Sequence, residues 1–136
     1  MNRVDHWEAA LDREVARARR ESFDWPSHNC ALWAARVVEA ITGEDVLATA
    51  YRNLPRTERA IYAVLTGEDG TLRDAVTAAL GEEKPAMEAR RGDVVMLSLD
   101  NRLIVGVCLG AKVAAVGPTG LRTRPITEAV AAWSVG

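Results

Sequence analysis

RRGDVVMLSLDNRLIVGVCLG, residues 90–110, is where the chain changes character. Before it, apolar residues recur at helical spacing; within it they run in short β-rich blocks. VVMLSL (94–99) and LIVGVCLG (103–110) flank Asp100-Asn101-Arg102, and that turn chemistry predicts a hairpin. KVAAV (112–116) and LRTRPI (121–126) flank Gly117-Pro118-Thr119-Gly120, which predicts a second hairpin. A short helix over 127–133, ending in Trp133, is expected to close the chain.

Working back from this stretch, the polar run EEKPAMEARRGD (82–93) reads as a linker. Residues 4–21 place Val4, Trp7, Leu11, Val15 and Ala18 on one stripe, the pattern of an amphipathic helix. Residues 23–29 are rich in turn formers, and a second helix runs from about Cys30 to Ile41 and stops at Gly43. Asn29 is a suitable N-cap for it. Residues 44–55 read as a loop, followed by short helices near 56–66 and 71–80, each ended by a glycine. Helices followed by a strand meander predict an α+β domain, with the Cys30 helix on a small antiparallel sheet. One domain covers 1–136, with residues 1–84 mainly helical and 91–136 forming the strands and the closing helix.

Composition narrows the function classes. At 136 residues the chain is long enough for a core without metal or disulfide support, and 49% hydrophobic with 26% charged residues is ordinary globular usage. A net charge of −2 offers no footprint for a nucleic-acid partner. Arg13, Arg17, Arg19 and Arg20 cluster at one helix end, where cations complement the helix dipole. The charged N-terminus has no signal-peptide core, and no apolar run reaches membrane-spanning length. Cys30 and Cys108 have no metal-like spacing, and reduced thiols are expected. Neither a metal nor a cofactor is expected.

The first turn of a helix can lower a thiol's pKa, because unsatisfied N–H groups and the helix dipole favour thiolate. The same N–H groups can hold an oxyanion. Position alone leaves Cys30 two roles: nucleophile, or buried helix-packing residue. A nucleophile also needs a base, and the chain has only two histidines, His6 and His28. His6 reads as a half-exposed residue of the first helix. His28 lies two residues before Cys30. Cys108 shares strand parity with Ile104 and Gly106; if that face meets the Cys30 helix, the two thiols approach as a redox pair. Asp93 and Asp24 are able to orient an imidazole, although Asp93 also reads as a turn residue after Gly92. Trp7, Trp33 and Trp133 fall in apolar helical patterns and are expected in the core.

WPSHNCALWAARVVEAITG (25–43), followed by RRGDVVMLSLDNRLIVGVCLG, resembles the NlpC-like cell-wall cysteine peptidases of the papain superfamily. The Cys helix together with GVCLG…GPTGL…AAW is similar to a phage-encoded, tail-associated branch related to them. The resemblance covers residues 23–43 and 91–133. It implies that Cys30 holds the nucleophile's place and that Gly92-Asp93 leads into the first strand. Asn29 stands where that family has aspartate. Ile104 stands where it has the catalytic histidine, and an isoleucine can neither accept a proton nor orient the thiol.

The reading that follows is a degenerate NlpC-like domain without peptidase activity. It would be a structural or interaction protein of a phage tail or tail-like assembly, made in the bacterial cytoplasm. Its expected partners are other tail or baseplate proteins, with AYRNLPRTERAIY (50–62) as a candidate docking segment. One alternative is an active cell-wall thiol hydrolase using Cys30 with His28 as an atypical base. Another is a peptidoglycan- or peptide-binding module whose groove is lined by Trp25 and Asn29.

Overall fold

The computed structural model describes residues 1–22, 30–52, 71–99, 102–117 and 119–136. Among the described residues, four α-helices lie in this order: α1 (Trp7–Ala18), α2 (Cys30–Thr42), α3 (Val46–Arg52) and α4 (Thr71–Leu80). Five strands follow: β1 (Val94–Leu99), β2 (Arg102–Cys108), β3 (Lys112–Gly117), β4 (Gly120–Pro125) and β5 (Ala129–Trp133). The strands form one antiparallel sheet in the order β4-β3-β2-β1-β5, so the domain is α+β as the sequence predicts.

β1 sits between two partners and is buried on both faces. Val94 and Met96 join α2 in the larger core, while Val95 and Leu97 join a smaller cluster on the opposite side. Period-two alternation alone requires this division. Leu11 and Val15 of α1, Val37, Val38 and Ile41 of α2, and Val105 and Val107 of β2 fill the larger core. The smaller one holds Cys108, Val113, Ala115 and Ala132, with Ala89 and Ile126 packed against it. α2 therefore lies across the sheet, and α1 packs on α2. Its last turn closes at Gly43, whose φ of 78° and N–H to the Glu39 carbonyl (2.7 Å) make a left-handed cap.

Three sequence expectations change. Residues 44–55 are not all loop: Val46–Arg52 is helical, and Leu47 is fully buried in the larger core. Burying that side chain repays ordering a turn that the local pattern leaves undecided. The closing segment is not a helix. A 3₁₀ turn (Ile126–Glu128) leads into β5, which pairs with β1 from Val94↔Trp133 to Leu97↔Ala129 across a bulge. Without β5, the second edge of β1 would bury unpaired backbone groups. The supposed linker is also structured: Lys84 forms an antiparallel bridge with Ala132, and Ala86–Glu88 is a 3₁₀ turn.

Candidate thiol site and the Asp93 clasp

Cys30 opens α2, with 4% of its surface exposed, inside the larger core. Burial pushes its thiol from an ordinary 9.0 up to about 11. The backbone N–H groups of Val105, Ala31 and Cys30 work in the opposite direction and are outweighed. The Val105 interaction is available because β2 pairs with β3 only at Val107↔Ala114 and Cys108↔Val113, leaving the earlier part of β2 open to the start of α2.

Cys108 is fully buried on the other face of the sheet, among Val95, Leu97, Val113 and Ala115. Its Sγ lies 3.4 Å from both the N–H and the carbonyl of Gly110, and burial raises its pKa. The face that meets α2 carries Val105 and Val107 instead. The redox pairing of Cys30 with Cys108 is thus overturned by strand parity: the sheet separates the thiols, and neither forms a disulfide. Gly106 shares the Cys108 face. A Cβ there would meet the Ala114 carbonyl oxygen at 2.5 Å and Leu97 at 3.2 Å. Ile104, half-buried near the open end of β2, touches both apolar clusters.

Of the other predicted residues, Asp24, Trp25, His28 and Asn29 lie outside the described residues, as do positions 53–62 of the docking segment. His6 is exposed just before α1 in a left-handed conformation (φ 61°). Trp33 and Trp133 are core residues. The Trp33 indole N–H donates to the Glu14 carbonyl (3.3 Å), and that of Trp133 to Thr77 Oγ1 (3.1 Å). Trp7 is only half-buried, and the Arg3 guanidinium stacks 4.2 Å from its ring centre.

Among the described residues, Asp93, 1% exposed at the lead into β1, gathers four hydrogen bonds on its carboxylate. Its Oδ1 accepts from Arg3 (3.1 Å) and the Val135 N–H (3.0 Å); its Oδ2 accepts from Lys84 (2.8 Å) and the Arg90 N–H (2.8 Å). Arg3 also donates to the carbonyls of Val135 and Arg91, both at 2.7 Å. Gly92 leaves room for that guanidinium, since a Cβ would lie 3.0 Å from Arg3 and 3.2 Å from Ile41. Asp93 thereby ties together chain segments around residues 3, 84, 93 and 135. The sequence offered Asp93 as a turn residue, an imidazole partner or the lead into the first strand, none of which predicts a buried ion-paired carboxylate. Its real partners stand up to 90 positions away and carry no local signal.

Among the described residues, no group of His, Cys, Asp and Glu is arranged to hold a metal ion. None of their helices is long and apolar enough to cross a membrane. Fold and site together define an α+β domain in which a cysteine-initiated helix lies on an antiparallel sheet secured by a buried aspartate. The chain belongs to the DUF6950 family, a domain of unknown function whose family model matches residues 2–135. No curated protein matches it.

Proposed function

We propose that this chain is a catalytically silent domain of the NlpC-like, papain-related type, acting as a structural or interaction protein of a phage tail or tail-like assembly. The observation that carries the silent reading is the state of Cys30, a thiol sealed in the core with its pKa raised to about 11. A hydrolase needs the opposite, a thiolate near neutral pH beside an oriented base. Ile104, at the position where the resemblance implies histidine, supports the same conclusion. A Cys helix on an antiparallel sheet is consistent with that ancestry. The tail assembly rests on the sequence resemblance, and other tail or baseplate proteins are the partners it implies.

The test is alkylation of Cys30 by iodoacetamide across pH, in a Cys108→Ser background. Slow or absent labelling, rising only in strongly alkaline solution, is the expected result. One observation favours a second reading: three backbone N–H groups act on the Cys30 thiol, an arrangement that also suits an oxyanion. A hydrolase using His28 would label fast, titrate well below about 8.5 and lose that behaviour in His28→Ala. Assembly is checked separately, by following the protein through purification of particles from its host. Consistent absence from intact particles would remove the tail role. A peptidoglycan-binding module would instead bind muropeptides without cleaving them, which calorimetric titration reads directly.

A further inference from the structure

We infer that β4 is a docking edge for an acidic, extended segment of a partner protein. The sheet runs β4-β3-β2-β1-β5, so β4 and β5 are its two edges. The β5 edge is partly closed, because Ala132 exchanges both backbone hydrogen bonds with Lys84 (2.8 and 3.0 Å). No described residue closes β4 in that way. Gly117 and Gly120 are paired only three positions apart, and so close a pair is a hydrogen-bonded one. By alternation Arg122 and Arg124 also bond to β3, opposite Ala115 and Val113. Leu121 and Thr123 therefore turn their N–H and C=O groups away from β3, into the free edge.

The edge itself sets the chemistry of its occupant. At Leu121 and Thr123 it offers two N–H donors and two C=O acceptors in strand spacing, a set that another extended backbone meets in full. A phosphate group has acceptors but no donor for the carbonyls. Side-chain placement adds the charge. Arg122 and Arg124 stand on the face that carries Ala115 and Val113, away from α2, while Leu121 packs toward the larger core and Thr123 is exposed beside it. From Lys112 to Glu128 the chain holds three cations (Lys112, Arg122, Arg124) and one carboxylate (Glu128), a local +2 in a protein whose net charge is −2. An antiparallel strand with carboxylates two residues apart sets them beside the two arginines, with a small or apolar residue between them at Thr123.

The same geometry argues against a second copy. Antiparallel pairing of β4 with itself about Arg122 sets that arginine on its own counterpart. Pairing about Thr123 sets Arg122 beside Arg124 of the other copy, so both registers place like charges opposite each other on one face. Charged side chains and proline also guard edge strands, and Pro125, with no N–H to offer, ends the open stretch. The proline does not reach Leu121 and Thr123. Arg124 is held by Glu128 in a partly exposed i,i+4 pair, which costs little to exchange for an incoming carboxylate. Two bonded residues and two charge pairs make a small contact, so binding is weak and in rapid exchange. The inference stands on the sheet edge alone and is independent of the state of Cys30.

The experiment is an NMR titration of the isotopically labelled full chain with an acetylated, amidated hexapeptide, Val-Glu-Val-Glu-Val-Thr. Millimolar peptide is expected to shift the Leu121 and Thr123 amides and to slow their exchange with solvent. The analogue with lysine in place of glutamate is expected to bind at least about fivefold more weakly. N-methylation of the peptide's valines removes the N–H groups that meet the two carbonyls, and is expected to abolish binding on the unaltered chain. Thr123→Pro removes one outward donor and no bond to β3, so it is expected to keep the fold by circular dichroism and to weaken binding. Arg122→Glu is expected to weaken the glutamate peptide and strengthen the lysine one. Absence of any shift at millimolar peptide overturns the proposal, as does a lysine peptide that binds the wild type equally well. Binding indifferent to both N-methylation and Thr123→Pro also overturns it, since charge alone would then account for the contact. So does a short oligonucleotide that shifts the same amides as strongly, which would make the edge a general anion site.

Discussion

Replacing Asp93 by asparagine keeps the shape of the side chain and removes its charge. Both carboxylate oxygens face donors: Arg3 and the Val135 N–H on one side, Lys84 and the Arg90 N–H on the other. Whichever way the new amide turns, its NH2 confronts two donors that had an acceptor. Breaking a buried ion pair from one side costs about 3–5 kcal/mol. The lower end applies here, because the Arg3 and Lys84 side chains are 16% and 20% exposed and water can reach them. About 3 kcal/mol is therefore expected. Unfolding entropy for 136 residues is about 0.3 kcal/mol/K, so the melting temperature should fall by about 10 °C. Differential scanning calorimetry at pH 7 measures this, with Lys84→Met as comparison. Lys84→Met should cost less, since Asp93 keeps Arg3 and both backbone donors. An Asp93→Asn protein melting within about 2 °C of wild type would refute the clasp.

Two further outcomes test the sheet and the thiol. Gly106→Ala puts a methyl 2.5 Å from the Ala114 carbonyl, so β2 and β3 must part; a loss of about 1–3 kcal/mol is expected, with faster amide exchange at Val107 and Ala114. Unchanged stability would mean that the strands are not held at this spacing. For Cys30, burial raises the folded thiol from 9.0 to about 11, so the unfolded chain ionises first as pH rises. The thiol's contribution is full below about 9 and is lost as pH climbs through about 11, at most about 2–3 kcal/mol. The melting difference between wild type and Cys30→Ala should shift against the wild type over that window. A constant difference would contradict a buried neutral thiol.

Much of the fold was legible because its determinants are local. The 3.6-residue period of α1 and α2, the stop at Gly43 and the β-rich blocks around 94–99 and 103–108 depend on side chains close in sequence. Those blocks, with the turn between them and the second hairpin pattern around 117–120, pointed to the α+β class. The same local pattern also placed Cys30 at a helix start. Its chemical state was not local: whether the N–H groups or burial wins depends on β2 and the core closing around the thiol.

What tertiary structure decided is pairing at a distance. Residues 127–133 read as a helix from their local pattern, and the open edge of β1 made 129–133 into β5 instead. The parity of Cys108 was readable, but which face meets α2 was not, and that choice put the two thiols on opposite sides of the sheet. Asp93 became buried because Arg3, Lys84 and Val135 converge on it from separate segments, and only such convergence makes a desolvated carboxylate tolerable. Local side-chain pattern is set by neighbours in the chain, whereas the balance of desolvation against charge is set by neighbours in space.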